Sequence, residues 1–200
     1  MREVLDGVFT WPWFSVRHGY NFNGYLVHAA DGNVCIDPVE PDADVLREIV
    51  SMGVGRIVIT NRNHVRGANL IRYRTGARTA IHPDDAAYAR GQGAELDEDT
   101  QAGAKIGPFT VVAVPGKSPG EIALHWVERR LLIVGDSVIG NPPGRCSLLP
   151  EKVMDDPLQL RASLRRLLAL DFDCMLVGDG ESILTGAKEQ LRELVQSFPS

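Results

Sequence analysis

The order of short apolar strands and amphipathic helices is the feature that most restricts the fold of this 200-residue chain. Apolar runs at 56–60 and 78–83 flank a helix-like segment at 67–76, which predicts a βαβ unit with parallel strands. Each half of the chain has several strand-like segments followed by a helix, a strand and a helix. This order predicts two sheets packed face to face with helices outside, an αββα sandwich. We expect residues 1–200 to form a single domain of this kind.

Charge and hydropathy argue against several classes of partner. The net charge is −5, and the arginines are scattered rather than gathered on one face, which argues against binding to nucleic acid. No apolar run approaches the length of a membrane span, and the N-terminal residues lack the pattern of a secretion signal. The three cysteines form no C-x-x-C pair. We therefore expect a cytoplasmic protein that binds a small molecule, with a homodimer as an open alternative.

Two apolar segments end in the same way. LLIVGD at 131–136 and MLVGD at 175–179 each place a carboxylate directly after a buried strand. The carboxyl ends of strands form the edge at which open α/β sheets build their sites, so Asp136 and Asp179 are candidate site residues. The alternative is that each aspartate caps a turn or the next helix.

Polar side chains also follow other strands. The loop after the strand at 56–60 carries Asn61, Asn63, His64 and Arg66, and Lys117 lies in a turn between two strand-like segments. The asparagines could instead cap the following helix, and the lysine could be a solvated surface residue.

Five short segments together resemble the metallo-β-lactamase superfamily in their order and spacing. They are IDP at 36–38, IT with its polar loop at 59–66, PGKSPGE at 115–121, VGD at 134–136 and VGDG at 177–180. The resemblance implies an αββα sandwich with one or two zinc, iron or manganese ions at the strand ends. It also implies a usual ligand set of T-H-x-H-x-D-H, a histidine in P-G-H-[ST]-P-G, the aspartate of a G-D pair and a histidine near the last strand.

Most ligand positions of this pattern hold other residues here. Asn61 and Asn63 stand at the first two histidines, Lys117 at the third and Asp179 where the last histidine is expected. Asp136 is retained. The sequence thus resembles a divergent branch of the superfamily, and a dinuclear centre is not expected because arginine and protonated lysine cannot ligate a cation.

Two interpretations of the charges stay open. Lys117 and Arg66 bring two positive charges to a pocket with Asp136 and Asp179, so we expect no metal cofactor and a lysine that stays charged. Alternatively, one divalent ion (zinc, iron or manganese) is held by His64, Asp136 and Asp179, a set of acceptable ligand types.

Three functions are consistent with these patterns: a hydrolase-like protein that binds or hydrolyses a small molecule without the usual dinuclear centre, a mononuclear metallohydrolase, and a binding or assembly protein without catalysis. We expect the following catalytic residues to meet in one cleft: His64, Lys117, Asp136 and Asp179. The candidate substrate-binding residues are Asn61, Asn63, Arg66 and Arg145.

Overall fold

The computed structural model describes residues 1–199 and contains two β-sheets. The first sheet has seven strands in sequence order, antiparallel from β1 to β4 and parallel from β4 to β7. Its strands are β1 (Arg2–Leu5), β2 (Val8–Ser15), β3 (Tyr20–Val27), β4 (Val34–Ile36), β5 (Arg56–Ile59), β6 (Arg78–Ile81) and β7 (Glu98–Asp99).

The second sheet has five strands in the order β12-β11-β10-β9-β8. Pairing is antiparallel from β8 to β11, and β11 pairs with β12 in parallel. The strands are β8 (Lys105–Ile106), β9 (Phe109–Ala113), β10 (Ile122–Trp126), β11 (Leu131–Ile133) and β12 (Cys174–Leu176). Because β11 and β12 are parallel, their carboxyl ends lie at the same edge of this sheet.

Within residues 1–199, five α-helices cover the outer faces of the sheets. They are α1 (Ala43–Met52), α2 (Ala68–Thr75), α3 (Pro83–Gly91), α4 (Pro157–Leu167) and α5 (Ala187–Gln196). The first three supply apolar side chains to a core cluster on the first sheet, and α4 and α5 supply a second cluster on the other sheet. A third cluster fills the space between the sheets. These layers confirm the predicted αββα sandwich.

Local sequence explains where the first helix begins and ends. The Asp42 side chain accepts hydrogen bonds from the amides of Asp44 and Val45, and Gly53 ends the helix at a positive φ of 75°.

Helix α3, in contrast, was not predicted from the sequence. Its signals are the proline at its first position and two acidic residues in its first turn.

A short segment at 178–181 forms a seam between the two sheets. On the side of the first sheet, the Asn23 amide donates to the Gly178 carbonyl at 2.8 Å. On the other side, the Gly140 amide donates to the Asp179 carbonyl at 2.9 Å. The backbone that carries Asp179 is therefore held by hydrogen bonds to both halves of the fold.

Tyr25 adds a side-chain contact beside this seam. Its hydroxyl donates to the Val177 carbonyl at 2.8 Å and lies 2.8 Å from Ser182 Oγ. We expect Tyr25→Phe to lower the free energy of unfolding by about 1 kcal/mol, because these buried hydrogen bonds are lost while the ring still packs. Urea unfolding measures the difference. Tyr73→Phe is the matched control, since the Tyr73 side chain is 85% exposed and its loss should change little. Equal losses in both variants would contradict this role of Tyr25.

None of the helices within residues 1–199 is long and apolar enough to cross a membrane.

Candidate functional site

Four polar side chains meet where strands of both sheets end. His64 follows β5, Lys117 lies in the turn between β9 and β10, and Asp136 and Asp179 follow β11 and β12. The Ile122 amide donates to the Thr60 carbonyl at 2.9 Å, which joins the start of β10 to the end of β5. The site is thus built at one edge of the sandwich from both sheets.

Lys117 is an internal cation of this cluster. Its side chain is 6% exposed, and its Nζ lies 3.0 Å from Asp136 Oδ2. The same ammonium donates to Asn63 Oδ1 at 2.6 Å and to Asn61 Oδ1 at 3.2 Å. Burial lowers the pKa of Lys117, but Asp136 and Glu121 offset this effect and the net pKa is raised. The lysine therefore stays protonated, with all three of its donors directed at protein acceptors.

His64 lies between two carboxylates. Its Nδ1 is 3.0 Å from Asp37 Oδ2, and its Nε2 is 2.9 Å from Asp136 Oδ1. Burial and Arg66 lower the pKa of His64, but Asp136 and Asp37 raise it more, to about 9. Within residues 1–199, Asp136 Oδ1 has this close ionic neighbour but no aligned hydrogen-bond donor.

The two aspartates have opposite electrostatic environments. Burial raises the pKa of Asp136, but His64 and Lys117 outweigh burial and hold it below its usual range. Burial and the charge of Asp136 raise the pKa of Asp179 to about 7, against the lowering effects of His64 and Arg66. Both aspartates lie in the pocket that Lys117 enters, but among the described residues an ion pair joins Lys117 to Asp136 and none joins it to Asp179. The reason is that its three donors are already used by Asp136 and the asparagines.

Asp37 supports the loop that carries His64. Its carboxylate accepts hydrogen bonds from the Thr60 amide at 2.7 Å and from the Thr60 hydroxyl at 2.5 Å. Asp37 itself has a positive φ of 46°, which is uncommon for a residue with a side chain. This strained backbone directs the carboxylate toward both Thr60 and His64.

Two buried acids near the site were not identified from the sequence. Asp85, on α3, accepts from the Arg62 amide, the Ser118 hydroxyl and the Gly120 amide, and so ties the His64 loop to the Lys117 turn. Glu121 Oε1 accepts from the Asp136 amide at 2.9 Å, and burial raises the pKa of Glu121 well above its usual value. Glu121 is the last residue of the PGKSPGE segment, and its place in that motif was the sequence signal that could have identified it.

The candidate substrate-binding residues take different positions. Asn61 and Asn63 hold Lys117 and do not cap α2, whose N-cap residue is Gly67 and has no side-chain cap. Arg66 is half-buried beside the cluster, and its Nη2 donates to the Asp37 carbonyl at 3.3 Å. Arg145 is exposed in the loop after β11 and has no contact with the cluster among the described residues.

A cavity of about 420 Å³ adjoins the backbone that carries Asp179. Its walls come from the β2–β3 hairpin, from Gly140 and Asn141, and from residues 180–182. Tyr20 is part of this wall, and burial together with Asp179 raises the pKa of its phenol to about 12. The cavity offers space for a small molecule beside residue 180, but the four side chains of the cluster do not line it.

Three candidate ligands lie close enough to share one ion. His64, Asp136 and Asp179 are buried, and each offers one ligand atom such that these atoms lie within 4.8 Å of one another. This order of sheets, helices and strand-end ligands can be compared with known families. The sequence profile described as "Metallo-beta-lactamase superfamily" matches residues 4–198. The chain belongs to the metallo-β-lactamase superfamily. The family resemblance predicted from the sequence is therefore confirmed.

Sequences similar to this chain carry one recurring name. A hydroxyacylglutathione hydrolase of Cereibacter sphaeroides is 32% identical over 169 residues, which are 82% of this chain and 64% of that protein. Another from the same species is 29% identical over 177 residues, with the same coverage. The chain thus spans less than two thirds of the length of these relatives.

Two solved structures show the same fold. The metallo-β-lactamase from Pontibacter korlensis superposes with a TM-score of 0.80 at 16% identity, covering 98% of both chains. The structure of TTHA1623 in a di-iron-bound form has a TM-score of 0.69 at 24% identity, covering 90% of this chain and 98% of that one.

The expectation that the site has no metal cofactor is wrong. It rested on counting the substituted ligand positions, but His64, Asp136 and Asp179 form a group that could hold an ion in this metallo-β-lactamase superfamily chain. The similar sequences are named as hydroxyacylglutathione hydrolases, and one similar structure is described as a di-iron-bound form. The physical reason is the tight turn at 61–64, where the His64 amide donates to the Asn61 carbonyl at 3.0 Å and the histidine side chain reaches Asp136.

Proposed function

We propose that this chain is a metallohydrolase of ester or thioester bonds that uses a single divalent ion, zinc, iron or manganese, held by His64, Asp136 and Asp179. The observation that carries the proposal is the convergence of three ligand atoms within 4.8 Å. The thioester class is supported by the relatives, because an acylglutathione is a thioester and those proteins are named as its hydrolases.

The chemistry of the donor set fits such an ion. Neutral histidine and ionised carboxylates are suitable ligands for zinc, iron and manganese. Asp37 lies on the Nδ1 side of His64, an arrangement that leaves Nε2 facing Asp136 Oδ1. A carboxylate on the far nitrogen fixes the ring and its tautomer in many metal sites. Ion binding would release the proton that His64 otherwise carries.

The same residues support one ion rather than two. Asn61, Asn63 and Lys117 stand where the superfamily pattern has three of its histidines, and the Lys117 ammonium lies 3.0 Å from Asp136. An ammonium has no lone pair for a metal, and its charge repels a second cation nearby. The proposed site is therefore a degenerate form of the dinuclear centre, with a lysine in part of its volume.

Each residue then has a distinct part in hydrolysis. When bound, the ion would supply Lewis-acid polarisation of the carbonyl group and a more acidic water molecule. Lys117 keeps a fixed positive charge beside Asp136, which favours negative charge developing on a nearby substrate oxygen. Because its pKa is raised, Lys117 does not serve as a base or nucleophile. Glu121 holds the Asp136 amide and thereby orients that carboxylate.

Metal binding gives the direct test. We expect protein stripped with EDTA and dialysed separately against Zn²⁺, Fe²⁺ and Mn²⁺ to retain about one equivalent of at least one of these ions, because three ligands share one position. Asp136→Asn should reduce affinity for that ion by about 100-fold or more, since it removes the central ligand charge. Elemental analysis after dialysis measures both values.

The control for metal binding is Asp84→Asn, which removes an exposed carboxylate adjacent to Asp85 and should leave the stoichiometry unchanged. Wild-type protein that retains none of the three ions, or two equivalents, would contradict a mononuclear site. The retained ion should then be used in assays with acyl thioesters and p-nitrophenyl esters. Absence of metal-dependent turnover with both classes would contradict hydrolysis even if the ion binds.

A further inference from the structure

Arg66 differs from the other arginines of the fold. Five further arginines within residues 1–199 have the same intermediate burial as Arg66, and each of these pairs with a carboxylate: Arg56, Arg62, Arg72, Arg161 and Arg192. Arg66 is half-buried, and within residues 1–199 no carboxylate lies within 4.0 Å of its guanidinium. Partly burying a guanidinium without a counter-ion is costly, so such a group calls for an external partner.

The contacts of Arg66 hold its guanidinium in place but, among the described residues, leave its Nε donor without an acceptor. The guanidinium lies over the Phe22 ring at 5.5 Å, and Nη2 donates to the Asp37 carbonyl at a long 3.3 Å. Its Nε is buried and, among the described residues, has no acceptor. Stacking on an aromatic ring fixes the plane of a guanidinium and leaves its donor edge available for a planar anion.

Arg66 is also close to the proposed metal ligands. Its positive charge lowers the pKa of both His64 and Asp179. Phe22, on which it stacks, pairs through its backbone with Asp179 at the seam. A group bound to Arg66 would therefore lie beside the reacting centre.

The charges of the cluster leave Arg66 without a counter-charge. Lys117 is compensated by Asp136, and His64 lies between Asp37 and Asp136. In the proposed function, Asp179 contributes its charge to the metal ion. Arg66 then remains as the surplus cation at the edge of the site, and surplus positive charge selects anionic ligands.

We propose that Arg66 binds a carboxylate of the substrate, so that the protein prefers acyl compounds with a second, negatively charged carboxyl group. This inference rests on the proposed hydrolase function. Lys117 cannot take the role because its donors are used internally, and Arg145 is exposed and, within residues 1–199, makes no hydrogen bond or ion pair with the cluster. A carboxylate matches the two parallel donors of a single planar guanidinium, and phosphate, which can pair in the same way, is the competing ligand in the test.

Binding of simple ligands tests Arg66 independently of turnover. Calorimetric titration at constant ionic strength should show that the purified protein binds succinate and not neutral succinamide. Arg66→Gln should weaken succinate binding about tenfold or more, because a charged hydrogen bond is lost. Arg66→Lys should retain part of the affinity, since the positive charge remains but the planar pair of guanidinium donors is lost.

Arg74→Gln is the matched control, because Arg74 is an exposed arginine of α2 outside the site and should leave succinate binding unchanged. Inorganic phosphate is titrated in parallel. Tighter binding of phosphate than succinate, lost in Arg66→Gln, would overturn the carboxylate assignment. Equal succinate binding by wild type and Arg66→Gln would overturn the role of Arg66 altogether. If the glutamine variant does not fold, undiminished succinate binding by Arg66→Lys would overturn the bidentate contact of the guanidinium.

Turnover separates this inference from the proposed function. The ratio of kcat/KM for the p-nitrophenyl monoester of succinate to that for p-nitrophenyl butyrate should exceed one in wild type and fall about tenfold in Arg66→Gln. Hydrolysis of both esters with an unchanged ratio would refute the anion preference and keep the hydrolase. Loss of succinate binding in Arg66→Gln without hydrolysis of either ester would keep the anion site and refute the hydrolase.

Discussion

Replacement of Lys117 by methionine is expected to lower the free energy of unfolding by about 3 kcal/mol at pH 7 in the presence of EDTA. Methionine keeps most of the side-chain volume, so the loss measures the missing charge and hydrogen bonds rather than a cavity. Asp136 would keep only His64 as a cationic contact, and the Oδ1 atoms of Asn61 and Asn63 would lose a donor. Chemical denaturation of wild type and variant gives the difference.

The size of this loss should depend on pH. Lys117 helps to keep the pKa of Asp136 below its usual range, so its contribution is fully present above the unfolded pKa of an aspartate, near 3.8. It disappears as pH falls through the folded pKa and Asp136 is protonated. The difference between wild type and Lys117→Met should therefore be largest at neutral pH and shrink below about pH 4.

Two further variants control this prediction. Lys152→Met removes an exposed lysine and should change stability by less than about 0.5 kcal/mol. Adding Asp136→Asn to Lys117→Met should recover part of the loss, because the buried carboxylate that the lysine compensates is gone. Wild-type stability in Lys117→Met at pH 7 would show that the ion pair contributes nothing to the fold.

Gly140→Ala is expected to destabilise the protein by more than about 3 kcal/mol. A Cβ atom at position 140 would lie 1.8 Å from the Glu181 carbonyl oxygen and 2.6 Å from its carbonyl carbon. These are backbone atoms and cannot rotate away, so the backbone segments around Gly140 and Glu181 must move apart. The same displacement moves Asp179, whose carbonyl accepts from the Gly140 amide. Thermal melting should show a large decrease in Tm, and metal retention should fall with it.

Gly91→Ala is the control for this backbone effect. Gly91 ends α3, and a Cβ there would meet no atom of the described residues within 4 Å. Alanine has the higher helix propensity, so this variant should be neutral or slightly more stable. A Gly140→Ala protein that melts like Gly91→Ala would mean that the seam tolerates a wider spacing than its hydrogen bonds indicate.

The layers of the fold could be predicted because hydrophobic periodicity reports which faces are buried. The alternation of strands and helices therefore indicated the αββα sandwich without any distant contact. Helix α3 gave no such signal, since its buried face consists of Asp85, Ala86 and Ala89. An inward-facing carboxylate and two alanines do not form an apolar stripe. That residues 1–200 form a single domain stays a prediction.

The location of the site was readable, but its pairings were not. Strand ends indicated that His64, Lys117, Asp136 and Asp179 lie near one edge, and the structure places them together there. Spacing along the chain does not show which acceptors a lysine selects, because that choice depends on distances between residues that are far apart in sequence. The same limit applies to Glu121, whose bond to the Asp136 amide joins two strands, and to the exposure of Arg145.

The seam at 178–181 makes the proposed ligand set a property of the whole sandwich. His64 comes from the first sheet, whereas Asp136 and Asp179 follow strands of the second. Any event that parts the sheets therefore disperses the ligands in the same cooperative step, instead of opening a loop locally. An ion or substrate that bridges these residues would thus act as a clamp across the two halves, and its binding free energy would add to the folding free energy of the entire molecule.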